Sequence, residues 1–393
     1  MSTIIDRIKT SFFASDSFLR YILFPFLSTR IGLLVVAYYA SGNYLSNPTY
    51  QKYVDRGFFL THLFPIDIFS RWDSAAYFSI ITRGYSPSSD IRSVYSNIAF
   101  FPLYPYLVKS FGWLGLHLPD GFYVAFGILL SNLFFLAAAV LLLKLVTGEL
   151  GFSETVAGRT IGLLIFFPTS FIFSSFYTES LFLFLLVAGT RFAFQGRWKL
   201  VAVTCFLLLL ARAQGIVAWG IFLLFYFEKR KWDFQAANRD ILWLFLAPVG
   251  LVLHLAYLYN MTGEPLAPFA AMTAWGRANA SILENLRENL ASPYLDVFKI
   301  DLGFTIIFVI LSMIIVWKWP VKSLGLFALS MSVLPVASGL LVSVSRYLLL
   351  VFPVFIYAGA KLEESSYYDA VRVVLFSLQV VYFAGWVNYY WIV

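Results

Sequence analysis

From Phe122 to Val146 the chain meets one charged residue, Lys144, in an otherwise almost wholly apolar run. About 20 apolar residues of helix cross the hydrocarbon core of a bilayer. Inside that core no water satisfies backbone N–H and C=O groups, so the helix, which pairs them internally, is the form such a run takes. Comparable runs lie near Ile241–Tyr259, Leu302–Trp317, Leu324–Val342, Tyr347–Ala360 and Val371–Tyr390. A further run, Leu19–Ala40, contains Arg30. A helix starting near Pro25 would leave that arginine to snorkel toward the near face.

Composition agrees with this reading. By length, 393 residues would suit two or three soluble domains, but 60% are hydrophobic and only 12% charged. That is about half the charged fraction of a soluble chain. Mean hydropathy is +0.79. An aromatic content of 20% excludes disorder, and a single cysteine excludes a disulfide scaffold or a Cys-based zinc site. His62, His117 and His254 are too scattered for a metal cluster. The net charge of +7 reads as the Lys and Arg excess that orients loops. No basic stripe with interleaved aromatics stands apart from an apolar run, so nucleic acid is excluded as a partner; membrane lipids are the expected surroundings. Asp6 and Asp16 interrupt the N-terminal region, and no cleavable signal is expected.

Two stretches, Thr160–Thr190 and Leu200–Phe227, are long for one span and short for two. Each is polar at its middle: Ser174-Ser175-Phe176-Tyr177-Thr178-Glu179-Ser180 in the first, Ala211-Arg212-Ala213-Gln214-Gly215 in the second. Loop charge decides. Arg191, Arg197 and Lys199 form one basic loop; Lys229, Arg230, Lys231 and Arg239 form another; Lys318 with Lys322 and Lys361 with Arg372 mark two more. Taking both stretches as hairpins gives about 11 spans and puts these loops, with Arg7, Lys9 and Arg20, on the cytoplasmic side. The expected fold is an all-α integral membrane protein forming a single domain over residues 1–393. Its large outer first loop, 41–121, carries interfacial helices, and a second outer loop occupies 260–300. Pro102, Pro105 and Lys109 place Asn97–Leu116 in the interface and not across the bilayer.

This topology brings Asp73, Glu179, Arg212 and Arg346 to the outer face. Ionisable residues near an apolar slab are costly and face a cavity by default. Two classes of protein suit an outward cavity holding acid and base: an enzyme acting on a lipid-carried substrate, and a transporter or flippase of a lipid-linked saccharide. The long outer loops and the lack of an internal repeat favour the enzyme.

Within the first loop stands Ser70-Arg71-Trp72-Asp73-Ser74-Ala75-Ala76-Tyr77-Phe78-Ser79-Ile80-Ile81-Thr82-Arg83-Gly84-Tyr85, followed by Ala99-Phe100-Phe101-Pro102-Leu103-Tyr104-Pro105. Read locally, it is a short interfacial helix ending at Gly84, with Asp73 at its N-terminus as a cap or a partner of Arg71. The ordered series Trp-Asp…Gly-Tyr…Phe-Phe-Pro…Pro resembles the second mannosyltransferase of GPI-anchor assembly, the PIG-V type, and its prokaryotic relatives. The resemblance continues through Phe167-Pro168, Tyr177-Thr178-Glu179-Ser180-Leu181-Phe182 and Arg212-Ala213-Gln214-Gly215. It extends to Thr262-Gly263-Glu264-Pro265-Leu266, Trp275-Gly276, and Ser345-Arg346-Tyr347 before Pro353. Two departures touch the acceptor side: Ala75-Ala76 replace polar or His residues, and Arg-Ala-Gln-Gly stands for Arg-Pro-x-Gly.

The resemblance implies a multi-span GT-C glycosyltransferase that moves mannose from a polyprenyl- or dolichyl-phosphate donor to a glycolipid, GPI-like or other glycan acceptor. Such an enzyme sits in the plasma membrane of a prokaryote or the endoplasmic reticulum of a eukaryote. Inverting displacement needs a base for the acceptor hydroxyl and positive charge at the departing phosphate. Asp73 is the expected base, and Arg212 and Arg346 the expected phosphate clamp. Glu179 would orient an arginine or bind sugar hydroxyls. Tyr177 and Trp72 would stack on sugar faces, and Arg71, Glu264 and Trp275 would touch donor or acceptor. No cofactor is implied, because a lipid-linked donor makes a nucleotide site unnecessary. No metal is expected, although Asp67 and Asp73 share one loop.

The topology is directly testable. Cysteines placed in 41–121 and 260–300 should react with an impermeant outer reagent, whereas Gln235→Cys should not; outer labelling at 235 would overturn the assignment of sides.

Overall fold

The computed structural model describes residues 16–44, 46–48, 58–86, 91–92, 96–114, 119–275, 281–291, 297–337 and 343–392. No β-strand forms among them. The chain opens with α1 (Asp16–Asn43), then the short α2 (Phe64–Asp67), α3 (Ser74–Arg83) and α4 (Leu103–Ser110). Helix α5 (Asp120–Glu149) leads into α6 (Glu154–Phe166), α7 (Glu179–Phe194), α8 (Trp198–Ala211) and α9 (Gly215–Glu228). After α10 (Ile241–Thr262) come α11 (Ala267–Ala271), α12 (Ile282–Ala291), α13 (Val297–Lys318) and α14 (Lys322–Ala337). The short α15 (Val344–Leu348), α16 (Phe352–Lys361) and α17 (Tyr368–Val387) close the order. Five of these, α1, α5, α10, α13 and α17, are long and apolar enough to cross a membrane.

Helix α13 has its polarity turned inside out. Asp301, Thr305 and Ser312 are buried on its inner face with Phe308 and Ile315. Ile306, Ile310, Met313 and Trp317, at matching helical spacing, point outward and are exposed. A helix in water does the reverse; outward apolar stripes suit hydrocarbon surroundings.

Both ambiguous stretches fold as two helices. In the first, α6 and α7 are separated by a 3₁₀ turn, Ser170–Ser174, and nearly every residue from Val156 to Thr190 is buried. In the second, α8 and α9 are separated by Arg212-Ala213-Gln214.

Arg30 corrects the expectation of a snorkelling residue. It is buried, and its Nε donates to Ser174 Oγ at 2.7 Å and its Nη2 to the Ser170 carbonyl at 2.8 Å. The broken backbone between α6 and α7 needs donors, and α1 supplies one. Nor does the first helix begin at Pro25. It is already helical at Asp16, and a π turn at Leu19–Leu23 makes room for the proline ring, which clashes with the i−4 carbonyl in a regular helix.

In the Asn97–Leu116 region α4 has 8 residues, about 12 Å at 1.5 Å each, too short to cross a bilayer. Helix α3 stops at Gly84, whose φ of +79° is a backbone conformation that side chains other than glycine's disfavour. Asn97 donates to the Gly84 carbonyl at 3.0 Å and ties this end down.

Side-chain contacts separate two ends. Glu149 meets Arg191, Ser153 meets Glu363, and Glu228 meets Ser323 at one end. Asp73, Glu179, Arg212 and Arg346 meet at the other.

The turn carrying Arg212 tolerates no added bulk. A Cβ on Gly215 would lie 2.4 Å from the Leu208 carbonyl oxygen, a backbone atom that cannot swing away. Gly215→Ala should therefore destabilise the protein by about 1–3 kcal/mol, whereas Gly220→Ala, which meets nothing within 4 Å, should be neutral or stabilising. Melting midpoints in detergent check this; equal midpoints for the two variants would refute the close α8–α9 approach.

Candidate active site

The site grows from a tightly tied loop. The Asp67 carboxylate accepts the backbone N–H groups of Phe59, Leu60 and Thr61 at 2.8–3.1 Å. It also pairs with Arg71, one turn away. Arg71 lies over the Tyr389 ring at 4.4 Å, and Trp386 Nε1 of α17 donates to the Ile68 carbonyl at 2.7 Å. The loop is thus clamped to the end of α17 before the chain reverses at Trp72. Trp72 adopts φ +54°, a left-handed conformation that costs a bulky residue about 1–3 kcal/mol and persists only when its surroundings enforce it.

That reversal delivers Asp73 to the N-terminus of α3, but not as a cap: its side chain makes no capping bond. Arg71 is not its partner either. Asp73 Oδ2 accepts from Arg346 Nη1 at 2.7 Å. Its backbone N–H donates to Tyr177 Oη at 3.1 Å, and that hydroxyl donates to the Arg71 carbonyl at 3.1 Å.

Glu179 stands in the first turn of α7, where the helix dipole favours negative charge. Its Oε1 accepts from Arg212 Nη1 at 2.5 Å and from Arg346 Nε. Its Oε2 is buried without a hydrogen-bond partner. Arg212 Nη1 also donates to Thr178 Oγ1 at 2.8 Å. Aromatic faces complete the cage: Arg346 lies over Tyr177 at 4.6 Å and Arg212 over Tyr347 at 5.4 Å. Tyr77 Oη approaches Thr178 Oγ1 at 3.3 Å, and burial pushes its phenol well above the usual range, keeping it neutral.

Two carboxylates and two guanidiniums thus form one balanced network. Exposure divides its members. The side chains of Glu179, Arg212 and Arg346 are 0%, 7% and 6% exposed, against 32% for Asp73. Asp73 is the most exposed charged group of this network.

The backbone of Arg346 is held from beneath by residues that the sequence did not single out. Asp301 of α13 accepts the Ser345 N–H at 3.3 Å and the Tyr382 hydroxyl at 2.7 Å. Thr169 Oγ1 donates to the Ser345 carbonyl at 3.1 Å. An acid at the mouth of an otherwise apolar run was the sequence signal for Asp301.

Other expected contacts fall elsewhere. Tyr177 is wholly buried and its face is taken by Arg346, so it supports the site and presents no open ring to a sugar. Arg71 is spent on Asp67. Trp72 is half-buried, near the Trp391 ring at 6.3 Å. Glu264 forms an exposed pair with Arg92 at 3.2 Å, apart from the Asp73 cluster. The Trp275 side chain and residues 276–280 lie outside the described residues. Asp67, filled by N–H donors, does not converge with Asp73 on a metal site, and no three His, Cys, Asp or Glu side chains gather among the described residues.

Breaking a buried pair by removing one partner strands charge in a low dielectric and costs about 3–5 kcal/mol. Glu179→Ala, which strands Arg212 and leaves Arg346 with Asp73 alone, should fall in that range, and Glu179→Gln should recover part of it by keeping a hydrogen-bond acceptor. Thermal unfolding in detergent reads both; a Glu179→Ala midpoint equal to wild type would disprove the central role of this carboxylate.

Compared with models of known protein families and with curated proteins, the chain matches none.

Proposed function

We propose that the chain is an inverting glycosyltransferase of the GT-C kind that uses a polyprenyl- or dolichyl-phosphate hexose, with mannose as the sugar. The acceptor is a glycolipid, GPI-like or other glycan hydroxyl at the outer or luminal face of a plasma or endoplasmic reticulum membrane. On this reading the chain crosses the bilayer about 11 times. Helices too short to cross alone are sheltered by their neighbours, and the Asp73 end faces outward.

One observation carries the proposal: a partly exposed carboxylate is aimed by a buried arginine beside a second arginine. Asp73 Oδ takes the proton of the acceptor hydroxyl as that oxygen bonds to the anomeric carbon. The carbon–oxygen bond to the phosphate breaks, and the phosphate leaves with the electron pair. Arg346 and Arg212 carry the positive charge that the departing phosphate needs. Their pairing with Glu179 fixes both guanidiniums in place beforehand, so little reorganisation accompanies the reaction. A transporter would need access from both faces, whereas this charged network sits at one end of the bundle.

The test is sugar transfer from a polyprenyl-phosphate mannose donor by purified protein. Asp73→Asn keeps an acceptor for Arg346 and should fold, yet lose about 10²–10⁴ in rate, the usual contribution of a positioned base. Near-normal turnover would move the base elsewhere. Movement of intact lipid-linked sugar across vesicles, with no new glycosidic bond, would replace the enzyme with a flippase.

A further inference from the structure

At the end of the bundle opposite Asp73, helices α1 and α17 leave a cleft of about 530 Å³ between them. Its polar lining is two guanidiniums and two hydroxyls, Arg20 and Ser28 from α1 with Arg372 and Ser377 from α17. Phe24 and Phe376 add apolar wall. Phe24 is 65% exposed, and both helices are apolar enough to cross a membrane. The cleft therefore pairs a basic patch with an apolar surface.

The two charged residues that line the cleft are both arginines. Arg372 Nη2 meets Asp369 at 3.0 Å, but both side chains are exposed, at 40% and 76%, and such pairs hold weakly. The Arg372 guanidinium rests over Phe166 at 5.3 Å and over Tyr368 at 5.6 Å. Arg20 lies 5.3 Å from the ring of Tyr21. Aromatic rings thus hold both cations without neutralising them.

We propose that this cleft binds the phosphodiester headgroup of an anionic phospholipid, with an acyl chain along the Phe24–Phe376 wall. Guanidinium forks match phosphate oxygens, serine hydroxyls supply further donors, and basic pockets between spanning helices select anionic headgroups. Free phosphate would satisfy the arginines and leave the apolar wall unused. The site is independent of sugar transfer and requires only that α1 and α17 lie in a bilayer.

The test uses the full chain in detergent, equilibrated with equal phosphatidylglycerol and phosphatidylcholine and examined by native mass spectrometry. Wild type should retain phosphatidylglycerol about tenfold or more over phosphatidylcholine. The double variant Arg20→Gln/Arg372→Gln should lose that preference while keeping the lipid-free melting midpoint. Equal retention of the two lipids by wild type would overturn the proposal, as would a preference that survives in the double variant. Displacement of phosphatidylglycerol by inorganic phosphate would also overturn it, in favour of a free-anion site. If the double variant does not fold, the comparison of lipids on the wild-type protein decides alone.

Discussion

A single buried oxygen, Oε1 of Glu179, receives two guanidiniums, and much of the architecture at this end of the bundle serves that arrangement. Removing an ion from water carries a penalty of several kcal/mol even after relaxation, so these charges are tolerable only together. They come from distant parts of the chain: Glu179 from the tip of one helix pair, Arg212 from the tip of another, Arg346 from a short helix near the C-terminal third, and Asp73 from the first long loop. Arg346 serves both acids, so the exposed carboxylate takes its position from the buried one. The loop that carries Asp73 is held separately through Asp67 and Trp386, which leaves Asp73 little freedom to turn away.

The same economy of polar groups explains how the bundle accommodates broken helices. Between α6 and α7 the regular backbone ladder stops, and unpaired carbonyls in an apolar interior are costly. Arg30 reaches the Ser170 carbonyl from α1. From α17, Gln379 donates to the carbonyls of Ile165 and Phe167 at 3.2 and 3.0 Å. Polar residues in the long apolar helices are thus inward donors for interrupted neighbours, and Asp301 fills the corresponding acceptor role beneath Ser345.

Much of this was legible in the sequence because it depends on pattern. Apolar runs located the long helices, and polar centres marked the two stretches that fold as helix pairs. Counting basic loops by parity led to the expectation that Asp73, Glu179, Arg212 and Arg346 lie together, and direct bonds join them. Partner choice was not legible, because it depends on approach in three dimensions. Arg30 looked like a misplaced charge until its acceptors, 140 and 144 residues away, were in view. Tyr177 looked like a ring free for a sugar, yet a guanidinium covers it. The left-handed turn at Trp72 had no sequence signal, since tryptophan is not a residue that favours it. The Asp67–Arg71 pair, by contrast, stood at the i,i+4 spacing of neighbours on one helical face and could have been read.

Arg30 also has a consequence in time. In a chain made from its N-terminus onward, α1 is complete long before the segment that satisfies its arginine exists. Ser174 follows Arg30 by 144 residues, roughly 7–30 s of synthesis at ordinary rates. Throughout that interval the guanidinium lacks the partners that it has in the finished fold. The bonds from Arg30 to Ser170 and Ser174 therefore close late in the making of the chain, an order that the finished fold conceals.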